Sequence, residues 1–338
     1  MTAPSPLPTD APPLLDAPLP VLGAVPSRWE PPDDGSVTLH VGDPLPANRV
    51  YLSTPPEEIG TLFSSGSNLD SEKGADGQML KRVGAAAGGF LLGALLVWVF
   101  GAKLRLWGFT DAPLVALVIG GVIGAITGFF TSKPKYETTY VGEKGVASFE
   151  YGGRDKSVGK SAVFCFDRAE TLHTEMTRNY TNGAYTGTSY AFNWHDAAGR
   201  PVHKLTGAFN NKDGNPPPDD RYWFGVAAEN AWSYGRLQTL RERLAAGETV
   251  SFPVKGKGAV GISLRGLTIE ISGKKDTVPL DELGDFGINN GEVTIARRDA
   301  KKGFLGMGAD GIYKFPYSGL GNARLFLNLL SAASHREA

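Results

Sequence analysis

The chain has 338 residues, including 44 glycines and 23 prolines, with 34 Lys plus Arg against 35 Asp plus Glu for a formal net charge of −1. That is more chain than one ordinary domain needs, and the balanced charge offers no overall field for nucleic acid, which is not expected as a partner. The single cysteine, Cys165, excludes an intrachain disulfide; its setting, Ala162-Val163-Phe164-Cys165-Phe166, suits a small buried hydrophobe better than a nucleophile.

Residues 1–80 read as a disordered proline-rich tail and linker. Pro4, Pro6, Pro8, Pro12, Pro13, Pro18, Pro20, Pro26, Pro31 and Pro32 are too dense for helix or sheet ladders. No basic start followed by an apolar run is present, so a cleaved signal peptide is not expected. From Ser36 to Asp76 the chain stays polar, with only brief apolar pieces such as Val50-Tyr51-Leu52, and reads as a linker.

Residues 82–132 read as a transmembrane helical hairpin. Two charge-free apolar runs, 83–101 and 112–131, would each span about 30 Å as helix, the thickness of a hydrocarbon core. Asp111 is placed to cap the second helix, and Pro113 falls in its first turn, where a missing N–H costs nothing. Gly84 and Gly88, then Gly89 and Gly93, repeat at four-residue spacing in the first run, as do Gly120, Gly124 and Gly128 in the second. Such ridges let helix backbones approach closely, either within one hairpin or in a homo-oligomer. Neither run carries an ionisable side chain, so an anchor is expected rather than an ion path. Lys73, Lys81, Arg82, Lys133, Lys135 and Lys144 flank the spans, against Lys103 and Arg105 in the loop, which predicts both termini in the cytoplasm.

Strand patterns follow. Ala147, Phe149 and Tyr151 alternate, Ala162 to Phe166 form an apolar run, and Tyr190, Phe192 and Trp194 alternate after the turn Asn182-Gly183. Beyond Pro216-Pro217-Pro218, Asp219 or Asp220 can cap a helix to about Ala246, with Phe224, Ala227, Ala231, Tyr234, Leu237, Leu240 and Leu244 on one face. Strands then recur, through Val260-Ile262-Leu264, Leu267-Ile269-Ile271, Glu292 to Ala296 and Gly311 to Phe315. The chain closes on a helix capped by Asn322 with an apolar face of Leu325, Phe326, Leu329 and Leu330. The fold class expected is mixed and membrane-anchored: the hairpin plus two β-barrel or sandwich units, 136–247 and 248–334, each closed by its own C-terminal helix.

Residues 136–333 resemble a pair of pleckstrin-homology-like domains of the kind found behind transmembrane hairpins in bacterial membrane proteins. The resemblance rests on Tyr140-Val141-Gly142-Glu143-Lys144-Gly145-Val146, on Phe166-Asp167-Arg168-Ala169-Glu170 and on its counterpart Pro279-Leu280-Asp281-Glu282-Leu283. It implies a binding or assembly role, toward a protein partner or an anionic lipid, at the bacterial inner membrane. It also directs attention to Arg154, Lys156 and Lys160, a basic loop where such domains hold anionic headgroups.

No catalytic constellation emerges. Gly153 to Ser161 imitates a P-loop, but Arg154 stands where its first glycine belongs and an apolar strand follows instead of a helix. Gly256-Lys257-Gly258-Ala259-Val260-Gly261 leads into a strand, leaving a pyrophosphate nowhere to sit. The five histidines have no metal-type spacing. His195 and Asp196, neighbours on a strand, would point to opposite faces. The expected function is therefore a membrane-anchored cytoplasmic scaffold or sensor without catalysis, cofactor or metal; the alternative is a glycine-packed hairpin oligomer within a pore or transport complex.

Overall fold

The computed structural model describes residues 26–70, 76–101, 113–131, 135–152, 157–211, 214–301 and 310–334. The tail 1–25, the hairpin loop with Lys103, Arg105, Trp107 and Asp111, and the residues Lys73, Lys133, Arg154 and Lys156 lie outside them. Among the described residues there are four α-helices and five sheets, none of the sheets closed.

The first β unit begins well before residue 136. Short strands β1 (Arg28–Trp29), β2 (Thr38–Leu39) and β3 (Tyr51–Leu52) precede β4 (Leu62–Ser67), which pairs antiparallel with β5 (Lys135–Gly142) through registers such as Ser65↔Tyr140. With β6 (Gly145–Gly152) and β7 (Ser157–Cys165) they form a sheet ordered β2-β4-β5-β6-β7. Reading 36–76 as a linker is therefore corrected. Tyr51, Ile59 and Leu69 are buried core residues, and Trp29 sits edge-on to both Tyr51 and Tyr140. The segment reads as linker because its apolar pieces are only two or three residues long; β1 to β4 become strands only by pairing with one another and, for β4, with β5 beyond the hairpin, which no local period reveals.

A short 3-10 turn, Phe166–Arg168, carries the chain into a three-stranded meander, β8 (Thr171–Thr181), β9 (Ala184–His195) and β10 (Pro201–Phe209). Asn182 and Gly183 both take positive φ, 50° and 79°, as a type I′ hairpin turn demands. Tyr190, Phe192 and Trp194 alternate inward on β9 and pack with Phe164, Phe166 and Leu205 against α3 (Tyr222–Ala245), which buries Phe224, Ala228, Ala231 and Trp232. Tyr234, expected on that apolar face, is 76% exposed. Asp220 serves the helix start, its Oδ1 accepting the backbone N–H of Tyr222 at 2.8 Å and the hydroxyl of Tyr190 at 2.8 Å.

The second β unit repeats this plan. β11 (Val250–Val254), β12 (Gly258–Ser263), β13 (Gly266–Ile271) and β14 (Lys274–Pro279) form a sequential antiparallel sheet. The 3-10 turn Leu280–Glu282 leads to the meander β15 (Leu283–Asn289), β16 (Glu292–Lys301) and β17 (Asp310–Pro316), and α4 (Ala323–Ser334) closes the unit. Val260, Ile262, Leu267, Val293, Ile295 and Phe315 form a core into which α4 presses Leu325, Phe326, Leu329 and Leu330. The two 3-10 turns stand at the same place in both plans, between the last strand of one sheet and the first of the meander.

Helices α1 (Asp76–Gly101) and α2 (Pro113–Thr131) are inserted in the chain between the paired strands β4 and β5. Within the hairpin, a methyl group added to Gly89 would overlap the backbone of Gly124, one on Gly93 would overlap Gly120, and one on Gly128 would overlap Ala85. Their outer surfaces expose Leu91, Leu92, Leu95, Leu96, Ile119 and Ile123. The transmembrane expectation is nevertheless corrected: among the described residues no helix is long and apolar enough to cross a membrane. α1 opens on a charged stretch that contains Lys81 and Arg82. With that expectation goes the placement as an integral inner-membrane protein with cytoplasmic termini, which rested on the same spans.

The two β units meet along β8 and α3 of the first and the segment 317–324 of the second. Asn322, expected to cap α4 with its side chain, instead sends that side chain into the first unit. Its Oδ1 accepts the N–H of Leu172 at 2.8 Å and the indole N–H of Trp232 at 3.3 Å, and its Nδ2 donates to the carbonyl of Glu170 at 3.1 Å. Its own backbone N–H donates to Leu172 O at 2.7 Å. A methyl on neighbouring Gly321 would crowd Thr171 and Pro253.

Candidate functional site

A concavity of about 690 Å³ in the second unit is lined by residues of β13, β14 and β17. Its floor is built by strand alternation. Ile269 faces Asp276 and Ile271 faces Lys274 across the β13–β14 ladder, so all four side chains project to one side, and Ile312 and Tyr313 of β17 close the other.

The rim is basic. Lys274, Lys275 and Lys314 line it. The turn bearing Lys255 and Lys257 is tied to the Ser272-Gly273 turn by the Ser272 N–H donating to Lys257 O at 2.7 Å. Gly258 starts β12 at positive φ, and a methyl there would collide with the backbone of Glu270 on β13, so this tight turn keeps Lys255 and Lys257 at the end of the sheet that carries Lys274. All of these lysines are exposed, and none is in an ion pair among the described residues.

One acid stands inside the rim and is already engaged. Asp276 accepts hydrogen bonds from Tyr313 and, at 3.1 Å, from Arg297, whose Nη2 also donates to Thr277 O at 2.9 Å. The Tyr313 hydroxyl, Thr277 N–H and Arg297 hold the Asp276 carboxyl below the usual range, and burial and Asp276 push the Tyr313 phenol up to about 12. Asp276 thus braces Tyr313 in the floor, and the lysines keep their charge available. The arrangement can hold an anionic group against an apolar base; it contains no nucleophile paired with a base.

The basic loop singled out from the sequence is not assembled in this way. Arg154 and Lys156 lie outside the described residues, and Lys160, on β7, sits 3.7 Å from Glu150 Oε1 with its side chain 70% exposed. Of the glycines, Gly89, Gly93, Gly120, Gly124 and Gly128 lie in the helix contact, whereas Gly84 and Gly88 have nothing within 4 Å of an added methyl. The P-loop look-alike runs into strand β7, and the GxGxxG stretch is the turn and first residues of β12. Cys165 is half-buried and free, its thiol pushed up by burial and by Asp167 and Glu58.

Sequence reasoning missed the lysine rim because its members come from three separate segments, each ordinary as a solvated turn. Lys274-Lys275 after Ser272-Gly273 was the available signal. No protein-family model and no curated protein matches the chain.

Proposed function

We propose that the chain is a non-catalytic binding scaffold whose second β unit takes an acidic partner at the lysine rim around Lys274, Lys275 and Lys314. The observation that carries the reading is the concentration of exposed lysines, none in an ion pair among the described residues, around an apolar-floored concavity whose lining carboxylate, Asp276, is already occupied by Tyr313 and Arg297. Lysines are strongly hydrated point charges on flexible stems and suit anionic groups held by charge rather than by fixed geometry. The scaffold element of the reading draws on the docked β units, whose shared hydrogen bonds through Asn322 give a partner on one unit a defined place relative to the other. The resemblance to tandem pleckstrin-homology-like domains agrees with a binding role and supplies no ligand.

Binding of the full chain to anionic vesicles, neutral vesicles and an acidic peptide tests this, with K274E/K275E and R154E/K156E/K160E compared to the parent. Reversal at 274 and 275 is expected to weaken binding to one acidic probe at least tenfold, and the parent's affinity to fall as salt rises. Equal binding by parent and K274E/K275E overturns the rim; loss confined to R154E/K156E/K160E moves the site to the first unit.

A further inference from the structure

His173 and His195 stand 22 positions apart in the sequence, yet the β8–β9 register brings them together. Thr171 faces His195 and His173 faces Asn193, so the two imidazoles are diagonal neighbours on one side of the meander, with ring centres 5.4 Å apart and planes at 80°. The hydrogen bonds around them fix more than proximity. Nδ1 of His173 lies 3.3 Å from Ser318 O, and because a carbonyl only accepts, Nδ1 carries the hydrogen and Nε2 of the neutral ring keeps its lone pair. A histidine that donates one ring N–H to a backbone carbonyl and offers the other nitrogen is the usual arrangement of a metal ligand. On His195, Nδ1 is buried without a hydrogen-bond partner.

We infer that His173 and His195 form a two-histidine site for a late first-row divalent cation such as Zn2+, Ni2+ or Cu2+, completed by water. Two imidazoles on one tetrahedral ion, with metal–nitrogen distances of about 2.0–2.1 Å, have ring centres about 5 Å apart, close to the spacing seen here. Both residues are half-buried, so solvent reaches the pair to supply the remaining ligands. The ion is of the imidazole-binding class rather than Mg2+ or Ca2+, which take oxygen. Among the described residues no group of three or more acidic, histidine or cysteine side chains is placed to hold a metal, so the site is a weak, exchangeable one. Because Ser318 belongs to the second β unit, a bound ion would also brace the junction.

The test titrates the full chain with Zn2+, Ni2+ and Mg2+ separately at pH 7.5, by calorimetry and by thermal unfolding, alongside H173A, H195A and H40A. Zn2+ or Ni2+ is expected to bind one site and raise the unfolding temperature. H173A and H195A should each weaken binding at least tenfold while H40A leaves it unchanged, and Mg2+ should not compete. Acidification to pH 5 should release the ion. Unchanged binding in the H173A/H195A double variant, or no binding by the parent, overturns the site. Should H173A fail to fold, H195A alone carries the test, because the Nδ1 of His195 makes no hydrogen bond to lose.

Discussion

Arg324, at the start of α4, sets its guanidinium 3.3 Å from the carboxylate of Glu229, a residue of α3 whose side chain is 4% exposed. The pair joins the two β units, and it is an ion pair by distance rather than a hydrogen bond, because the Nε–H of Arg324 is not aimed at an acceptor. Thr174 of β8 donates to the other carboxylate oxygen at 2.9 Å. Burial raises the Glu229 carboxyl above its usual range, while Arg324 and Thr174 pull against that shift.

Removing Arg324 therefore leaves a buried carboxylate with one hydrogen bond. R324A is expected to destabilise the chain by roughly 2–3 kcal/mol, toward the lower end for a broken buried pair because Arg324 itself is partly exposed. The loss has a sign in pH. A carboxyl whose folded value is raised costs no stability at low pH, where both states are protonated, and costs progressively more as pH rises from the unfolded value through the folded one. Without Arg324 the raise is larger. Urea unfolding of R324A should show a greater deficit at pH 8 than at pH 5, and E229Q/R324A should lose that difference.

His40 sets the acid limb. Its ring bridges Ser64 Oγ and Thr139 Oγ1, each at 2.8 Å, and burial holds its protonation down to about 3. The unfolded ring takes a proton near pH 6.5 while the folded ring does not, so stability falls as pH drops from about 6.5 toward 3. His203, held down to about 4 by burial, adds to the same slope. H40Q is expected to cost roughly 1–2 kcal/mol at pH 7 from the lost bridge and to flatten the pH dependence between 6.5 and 4. A slope equal to the parent's would show that His40 is not its source.

The hairpin glycines divide into two groups that behave differently. G124V would drive a side chain into the backbone of Gly89, so α1 and α2 must separate, at roughly 2 kcal/mol or more. G88V meets nothing within 4 Å and is expected to leave the packing intact. Hydrogen exchange along 83–97 and 118–128 distinguishes them: faster in G124V, unchanged in G88V.

What could be read from the sequence was what the chain writes locally. The inward alternation of Tyr190, Phe192 and Trp194, the Asn182-Gly183 turn and the apolar face of α4 each need only a short window. Ser65 pairing with Tyr140 does not: β4 and β5 are separated by the whole hairpin, and neither announces the other. The same reason hid the lysine rim and the histidine pair. Lys257 reaches Ser272, and His173 approaches His195, only once register is fixed. The membrane expectation failed differently: it counted apolar letters over whole runs, whereas no described helix carries an apolar stretch long enough for a hydrocarbon core.

Asn322 is the point where local reading and tertiary use of one residue part most clearly. A polar residue just before an amphipathic helix reads as its cap, and its carbonyl does accept the N–H of Phe326 at 2.9 Å. The side chain, with φ at 56°, turns instead to Leu172, Trp232 and Glu170. Asn tolerates that left-handed backbone better than most side chains, so one residue meets both demands. N322G would keep the backbone and lose the side-chain bonds; N322A would lose the bonds and strain the backbone. N322G is expected to cost roughly 2 kcal/mol and N322A somewhat more, the difference measuring the strain alone. N322D keeps an acceptor for Leu172 and Trp232 but loses the donor to Glu170 O and buries charge beside that carbonyl. Denaturant unfolding should therefore place N322D no better than N322G at pH 7 and improve it as the introduced carboxyl protonates. If N322G unfolds at the same denaturant concentration as the parent, the junction is held by its apolar contacts and the Glu229–Arg324 pair instead.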